Sequence, residues 1–251
     1  MSYNELSAPL VASLRNVSKA YGSMTVLEAV DLDIAQGEFL CLLGPSGCGK
    51  STILRLLAGL SKPTGGKLEM PARSPADIGV VFQEPTLLPW ATVSSNVALP
   101  LKLWKRPASE IAREVSRVLE MVKLTGFEQA YPRELSGGMK MRVSIARALV
   151  TKPKLLLMDE PFAALDEITR ARLDDDLLAI QRDSGCTVVF VTHSTPESVY
   201  LATRIAVMRT RPSRFVGFVD VPASAIRDKA YRVSQQFVET TTQVSELLDE
   251  D

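Results

Sequence analysis

Residues 44–52 read Gly44-Pro45-Ser46-Gly47-Cys48-Gly49-Lys50-Ser51-Thr52 and match G-x-x-x-x-G-K-[ST], the spacing of a phosphate-binding loop, the P-loop. The apolar run Phe39–Leu43 precedes this loop and predicts a buried strand, and the helical pattern Ile53–Ala58 follows it. Glycines let backbone N–H groups turn inward around a phosphate, and the start of a helix adds positive partial charge there. We expect Lys50 to reach the β- and γ-phosphates of a nucleoside triphosphate, and Ser51 to hold Mg²⁺.

The composition is that of an ordinary globular protein, with 46% hydrophobic and 23% charged residues. The 29 basic and 29 acidic residues give a formal net charge of +0, which argues against nucleic acid as the main partner. Cys41, Cys48 and Cys186 form no ligand spacing, and their odd number indicates a reducing compartment. We see no secretory signal and no apolar run near the ~20 residues of a membrane helix. We therefore expect a cytosolic chain unless another subunit holds it at a membrane.

Continuous apolar runs, typical of strands covered on both faces, recur along the chain. They predict strands at Leu10–Val17, Glu38–Leu43, Ile78–Phe82, Lys154–Met158, Thr187–Thr192, Ile205–Met208 and Phe215–Val219. A cluster of turn-forming residues, Lys62–Gly66, predicts a turn between a helix and a strand.

The stretch from about Pro89 to Val150 contains no convincing strand, and its apolar residues recur at helical spacing. We therefore predict a single domain over residues 1–251. Its α/β core comprises 1–86 and 151–222, a helical subdomain spans 87–150, and a C-terminal helix with an acidic tail occupies 223–251.

Two carboxylates follow the apolar run Leu155–Met158. A buried strand here would deliver both to its carboxyl edge, where ligands sit in open α/β sheets. Asp159 then fits the acid that helps to hold Mg²⁺, and Glu160 could orient or deprotonate an attacking water. The alternative is a strand that ends in a solvated acidic turn, which the P-loop upstream disfavours.

Two further polar side chains follow predicted strands. His193 is the single histidine of the chain and comes after Val188–Val191, whereas Gln83 comes after Ile78–Phe82. A lone histidine is often structural, but its place beside the expected phosphate site favours a catalytic role. Gln83 offers an amide oxygen to Mg²⁺ or to water, although a glutamine after a strand means little by itself.

Taken in order, these motifs resemble those of the ATP-binding subunits of ABC transporters, over about residues 8–220. Leu135-Ser136-Gly137-Gly138 matches the ABC signature, Ala164-Leu165-Asp166 resembles the D-loop, and Tyr21 resembles the aromatic residue that stacks on adenine. The resemblance implies a P-loop NTPase (RecA-like) core with an antiparallel β-subdomain and an inserted α-helical subdomain. It also makes Gln83 the Q-loop glutamine, Glu160 the catalytic glutamate and His193 the switch histidine.

Family resemblance further implies a head-to-tail homodimer with two ATP molecules in the interface. Each ATP would lie between the P-loop of one subunit, residues Gly44 to Thr52, and the signature of the other. Catalysis would rest on charge neutralisation by Lys50, Mg²⁺ and His193, with Glu160 acting on water. Asp166 would couple the two sites, and Ser51, Gln83 and Asp159 would hold the metal ion.

The segments Phe82–Trp90 and Asn96–Leu101 are similar to those of the nitrate/sulfonate/taurine importer subfamily. One departure from the family pattern is Met139, which stands where the signature usually has glutamine. The backbone donors at the helix start remain, but a glutamine side-chain contact to the partner's nucleotide would be missing. We expect this change to alter affinity rather than to abolish activity.

The apolar segment Leu87–Trp90 predicts a dock for a membrane permease, or alternatively packing of Trp90 inside the helical subdomain. The favoured reading is an import ATPase on the cytoplasmic face of the cell membrane, with a separate solute-binding protein. An exporter ATPase of the same family is the second hypothesis. A soluble ABC ATPase acting on ribosomes or DNA is disfavoured by the single set of motifs, and a scaffold without turnover by Glu160 and His193.

Overall fold

The computed structural model describes residues 8–71, 74–210, 213–222 and 227–249. In chain order the elements are β1 (Leu10–Tyr21), β2 (Met24–Ala35), β3 (Phe39–Leu43), α1 (Lys50–Leu57), β4 (Gly65–Glu69), β5 (Ile78–Val81), α2 (Val93–Leu103), α3 (Ala108–Met121), α4 (Gly137–Leu149), β6 (Leu155–Asp159), α5 (Glu167–Ser184), β7 (Thr187–Thr192), α6 (Thr195–Leu201), β8 (Arg204–Arg209), β9 (Arg214–Asp220) and α7 (Gln235–Asp249). They divide into two compact units. The first contains the described residues of 1–73 and 186–251, and the second spans Ser74–Gly185.

An antiparallel sheet forms one part of the first unit. Its central strand β1 pairs antiparallel with β2 on one side and with β4 on the other. β2 alternates between buried and exposed side chains, so that Val30, Leu32 and Ile34 face the core while charged residues stand between them. This sheet confirms the predicted antiparallel β-subdomain.

Parallel strands form the other part of the first unit. β3 lies between β7 and β8 and runs parallel to both, and β9 pairs antiparallel with β8. All five residues of β3 are buried, as expected for a strand that is covered on both faces. Helix α6 packs on β3 and β7, and α7 packs on α6, β8 and β9. The acidic residues predicted to follow this last helix, Glu250 and Asp251, lie outside the described residues.

The second unit combines a parallel strand pair with helices. β5 pairs with β6 in parallel register, and α4 packs against α2, α3, α5 and β5. Helix α3 buries Val115, Val118 and Leu119 along one face, which confirms the predicted amphipathic helix. Between β5 and β6 the described residues form helices and turns and contain no strand, as the sequence predicts.

Two predictions of local structure need correction. The sequence reading missed β2 and β4, and the last two residues of the predicted turn, Gly65 and Gly66, begin β4. Pairing with β1 places these residues in a sheet despite their weak strand propensity. In the part of the chain that the structure describes, none of the helices is long and apolar enough to span a membrane.

Candidate active site

The P-loop connects β3 to α1, as the motif predicts. Gly49 adopts a left-handed conformation with φ 90° and ψ 4° and immediately precedes α1. The positive φ favours glycine at this position, and a Cβ atom at Gly49 would lie 2.6 Å from Leu27 Cδ2, so any larger residue would have to displace the Leu27 side chain. Pro45, Ser46 and Gly47 at the tip of the loop are exposed. The loop therefore presents an accessible backbone at the N-terminus of a helix, where anions bind favourably.

Lys50 lies against the backbone of its own loop. Its Nζ atom donates hydrogen bonds to the carbonyl oxygens of Gly44 at 2.7 Å and Pro45 at 3.0 Å. The residue is only 4% exposed, so its charge is held within the loop rather than extended into solvent.

His193 lies at the same strand edge as the P-loop. Leu43 at the end of β3 pairs with Thr192 at the end of β7, so the residues that follow them leave the sheet side by side. His193 is exposed, whereas the turn beneath it is tied by hydrogen bonds. The Thr192 hydroxyl donates to the Glu197 carboxylate and accepts from the backbone N–H of Ser194. The first unit thus brings Lys50 and His193 to one edge.

Tyr21 ends β1 at a two-residue hairpin. Its ring is 43% exposed, and the ammonium of Lys19 lies 4.8 Å from the ring centroid. Tyr21 is thus a partly exposed aromatic residue at a hairpin, with a cation over its ring.

In the second unit, Gln83 and the two carboxylates share a strand edge. Val81 at the end of β5 pairs with Met158, the penultimate residue of β6. Gln83 is exposed, while Asp159 and Glu160 are half-buried. The carboxylates therefore stand at the end of a buried strand, which the sequence predicted.

Glu160 adopts an unusual backbone conformation. Its φ of 44° places it in the left-handed region, which costs a non-glycine residue of order 1–3 kcal/mol and is found mainly where the surroundings enforce it. The turn that follows is closed by a hydrogen bond from the N–H of Ala163 to the Glu160 carbonyl oxygen. The chain therefore turns directly after the last residue of β6.

The signature residues form the start of α4. Ser136 caps this helix, because its Oγ atom accepts a hydrogen bond from the backbone N–H of Met139 at 3.3 Å. Ser136 and Gly137 are exposed, whereas Gly138 is buried. The predicted helix start, with its backbone donors, is therefore present and accessible. Met139 contributes to it through its backbone N–H, which donates to Ser136.

The signature and the D-loop adjoin each other within one chain. A Cβ atom on Gly138 would lie 2.8 Å from Thr169 Cγ2, and one on Gly137 would lie 3.5 Å from Leu165 Cδ2. Asp166 is exposed and caps α5 by accepting a hydrogen bond from the Thr169 N–H at 2.9 Å. Hydrogen bonds from the backbone and the hydroxyl of Thr169 hold the pKa of Asp166 below its usual value, so this residue stays ionised.

Sequence reasoning missed one residue of the second unit that contacts the segment after Gln83. Arg147, in the last turn of α4, donates hydrogen bonds to Pro85 and Thr86. A single arginine near a helix end forms no motif and offers no spacing signal, so only the structure could find it.

The residues predicted to hold Mg²⁺ have suitable chemistry. Magnesium prefers oxygen ligands and is usually held by one or two carboxylates together with substrate phosphates. Ser51 provides a hydroxyl in the first turn of α1, and Asp159 provides a carboxylate at the end of β6. Across the described residues, no group of three His, Cys, Asp or Glu side chains forms a metal site of its own.

The comparison with protein families decides the class of this site. The family model described as "ABC transporter" matches residues 27–163, more than half of the chain. The chain belongs to the ABC transporter family. The matched range of this ABC protein contains the P-loop, the signature and the carboxylates after β6.

Curated relatives of this ABC protein include import ATPases with different solutes in their names. The aliphatic sulfonates import ATP-binding protein SsuB of Bacillus subtilis is 50% identical over 194 residues, covering 76% of this chain and 75% of SsuB. The spermidine/putrescine import ATP-binding protein PotA of Nitrosomonas europaea is 45% identical over 202 residues, covering 78% of this chain and 56% of PotA.

Solved structures of ABC cassettes share the fold. The ATP-binding cassette MJ0796, dimeric and bound to ADP and Pi, has a TM-score of 0.73 and 33% identity, covering 84% of this chain and 99% of that one. cbiO1 from Clostridium perfringens, part of the cbiONQ complex, has a TM-score of 0.80 and 24% identity, covering 96% and 99%, and supports the fold alone. The predicted P-loop NTPase fold is confirmed, and this ABC protein is an ATP-binding subunit that hydrolyses ATP.

Proposed function

We propose that this ABC protein powers the uptake of a small solute by closing as a homodimer around two ATP molecules. It works at the cytoplasmic face of the cell membrane, bound to a separate permease that receives solute from a solute-binding protein. The solute is of the nitrate, sulfonate or taurine type. Identity to SsuB supports this subtype, whereas the comparable identity to PotA makes it a question for experiment.

Each ATP is bound by the P-loop of one subunit. Backbone N–H groups of the P-loop, in which Pro45 has none, surround its phosphates. Lys50 neutralises charge on the β- and γ-phosphates, and Tyr21 stacks on the adenine. The observation that supports this assignment is the accessible glycine-rich turn, in which Lys50 already lies against two loop carbonyls.

Hydrolysis depends on residues at the strand edges. Glu160 accepts the proton of the attacking water, while His193 stabilises the charge on the departing γ-phosphate. Ser51, Gln83 and Asp159 would hold Mg²⁺. When bound, the ion would neutralise phosphate charge.

The signature of the second subunit completes each site. Ser136 and Gly137 are exposed at the start of α4, so their N–H groups and the positive end of the helix can face the γ-phosphate of a partner-bound ATP. ATP stabilises the closed dimer because its γ-phosphate touches both subunits, and hydrolysis removes that bridge. Asp166, beside the signature, transmits the state of one site to the other.

The permease dock is the loop Leu87–Trp90. Trp90 is 74% exposed. It therefore does not pack inside the helical subdomain, as the alternative prediction had it. The loop is nevertheless well ordered, because Asn96 is fully buried and bridges it at both ends. Its Oδ1 atom accepts from the N–H of Leu88 at 2.7 Å, and its Nδ2 atom donates to the carbonyl oxygens of Leu88, Ala91 and Thr92. A rigid loop with an exposed tryptophan is typical of a protein interface.

Uptake by cells that lack this chain tests the proposal. Sulfonate, taurine or nitrate uptake should disappear and should return with the wild-type chain but not with the Glu160→Gln variant. Spermidine and putrescine uptake should be unchanged, which serves as the internal control. Loss of polyamine uptake instead would overturn the assigned solute class, and loss of efflux with intact uptake would favour the exporter alternative.

A further inference from the structure

The segment that follows Gln83 has a strained backbone. Thr86 has a φ of 48°, in the left-handed region that β-branched residues rarely adopt. Such a conformation persists only where neighbouring groups enforce it, and outliers of this kind concentrate at functional sites. The cause of the strain at Thr86 therefore has to lie in its surroundings.

The Arg147 guanidinium supplies three hydrogen bonds to this strained turn. Its Nη1 atom donates to the Thr86 carbonyl oxygen at 2.8 Å, and its Nη2 atom donates to the Pro85 carbonyl oxygen and to Thr86 Oγ1, both at 2.9 Å. All three acceptors are neutral. The planar fork of arginine matches several acceptors at fixed spacing, which the ammonium of a lysine cannot do.

The same end of α4 is fixed against the strand that leads to Gln83. A Cβ atom on Gly79 in β5 would lie 2.9 Å from the carbonyl oxygen of Ala148, so this helix end and the strand are in close backbone contact. At the opposite end of α4, Ser136 caps the helix and Gly138 packs against Thr169. Helix α4 thus contacts the loop of residues 83–86 near its C-terminal end and carries the signature at its N-terminal end.

We propose that Arg147 is a positioning residue that holds residues 83–86 in their strained turn and makes this loop move together with α4. Displacement of Gln83 by ATP would then be passed along α4 to Ser136. The inference rests on the proposed function, because it assumes that Gln83 senses ATP and that Ser136 completes the site of a partner subunit.

The test is ATP-dependent dimerisation in a Glu160→Gln background, compared with ATP affinity of the monomer. Arg147→Ala should raise the ATP concentration needed for half-maximal dimerisation by about tenfold, equivalent to ~1.4 kcal/mol, while monomer affinity changes by less than about twofold. Arg147→Lys should behave like Arg147→Ala, because it retains the charge but not the fork. If Arg147→Ala does not fold, Arg147→Lys replaces it in the dimerisation measurement.

A second substitution separates positioning from simple packing. Thr86→Gly relieves the strain, because glycine adopts positive φ freely. It should restore part of the dimerisation lost in Arg147→Ala, namely the part that comes from holding the turn rather than from tying the turn to α4. The matched control Thr86→Val remains β-branched and strained and should restore none of it. If Arg147→Ala dimerises at the parental ATP concentration, or if Thr86→Gly gives no more rescue than Thr86→Val, the proposal is wrong.

Hydrogen exchange of the monomer keeps this result distinct from a failure of the proposed function. If the Glu160→Gln parent does not dimerise with ATP, the dimer mechanism is wrong. Amide hydrogen exchange then becomes the sole test of the positioning role of Arg147. Amides 83–88 should then exchange at least about tenfold faster in Arg147→Ala, because the turn loses its three hydrogen bonds. Unchanged exchange there would overturn the role of Arg147.

Discussion

Gly47 and Gly49 adopt similar left-handed conformations in the P-loop, with φ of 82° and 90°, but their surroundings differ. A Cβ atom at Gly47 would meet nothing within 4 Å, whereas one at Gly49 would lie 2.6 Å from Leu27 Cδ2. The backbone penalty for any other residue is therefore shared by both positions, and the steric penalty belongs to Gly49 alone.

This pair allows strain and crowding to be measured separately. Gly47→Ala should cost about 1–2 kcal/mol of unfolding free energy through its backbone conformation, whereas Gly49→Ala should cost roughly 1–3 kcal/mol more through overpacking against Leu27. Urea denaturation of the nucleotide-free proteins measures both losses. Equal losses would show that the contact with Leu27 adapts easily and that only backbone strain matters.

The residues found by motif spacing and those found only in the structure differ in kind. Lys50, Glu160 and Ser136 carry a sequence signal because phosphate chemistry requires these residue types at fixed spacing. Arg147 and Thr86 act through three-dimensional contact across 61 positions, and each is unremarkable in its own sequence neighbourhood. The left-handed conformation of Glu160 likewise depends on the turn after β6, and the residue types around Glu160 do not predict it.

Among the secondary-structure elements, the start of α4 has two roles, helix capping and the proposed contact with ATP, and substitutions at Ser136 can distinguish them. Ser136 caps the helix and is also proposed to face the ATP of a partner. Ser136→Ala should lose about 1 kcal/mol of stability with the cap. Ser136→Asp should keep the cap, because a carboxylate is favourable at a helix start, but should lose ATP-dependent dimerisation by repelling the γ-phosphate.

A control with the same capping geometry is available in α2. Thr92 caps that helix by accepting from the Ser95 N–H at 3.2 Å, so Thr92→Ala should lose similar stability and still dimerise with ATP. Urea denaturation and sedimentation of all three variants supply the two readouts. Normal dimerisation of Ser136→Asp would remove Ser136 from the ATP site.

A buried carboxylate on α3, Glu114, links this helix to the segment that follows α4. The side chain of Glu114 is 6% exposed and pairs with Arg117, Lys152 and Arg113. Burial alone would raise the pKa of Glu114, but hydrogen bonds from these three cations outweigh it and lower the pKa from 4.5 to about 2. Because the folded pKa is the lower one, the stabilisation is fully present above pH 4.5 and declines as the pH falls toward 2.

Glu114→Gln should therefore lower stability at neutral pH by about 1–2 kcal/mol, a modest value because the cations are partly solvated. The difference from wild type should shrink once the pH falls below about 4.5 and should decrease with added salt. Urea denaturation between pH 7 and pH 3 checks this. A difference that stays constant over that range would mean that Glu114 acts through packing rather than charge.

The two strands missing from the sequence prediction, β2 and β4, were missed for different reasons. β2 contains a usable period-two pattern, since Asp31 and Asp33 alternate with buried Val30, Leu32 and Ile34. β4 begins with Gly65-Gly66 and has no such pattern, so pairing with β1 determines its strand conformation. The strands covered on both faces were predictable because their continuous apolar runs are short and lie between turn signals, which favours strands over buried helices.

For the whole molecule, the proposed function requires that ATP join two copies of the chain into a dimer. Within one chain, Ser136 at the signature is exposed, and the P-loop carries its own lysine. In the proposed dimer, each copy would offer one half of two composite sites. A γ-phosphate that contacts both halves would make the proposed closed dimer depend on ATP and not on ADP. The exposed Trp90 would then carry the closing movement to a permease.

The most direct test is the mass in solution of the Glu160→Gln protein, measured by sedimentation with no nucleotide, with ADP·Mg²⁺ and with ATP·Mg²⁺. The account predicts the 27.4 kDa monomer in the first two conditions and a dimer of two such chains with ATP. A protein that binds ATP and remains a monomer would contradict closure around two ATP molecules.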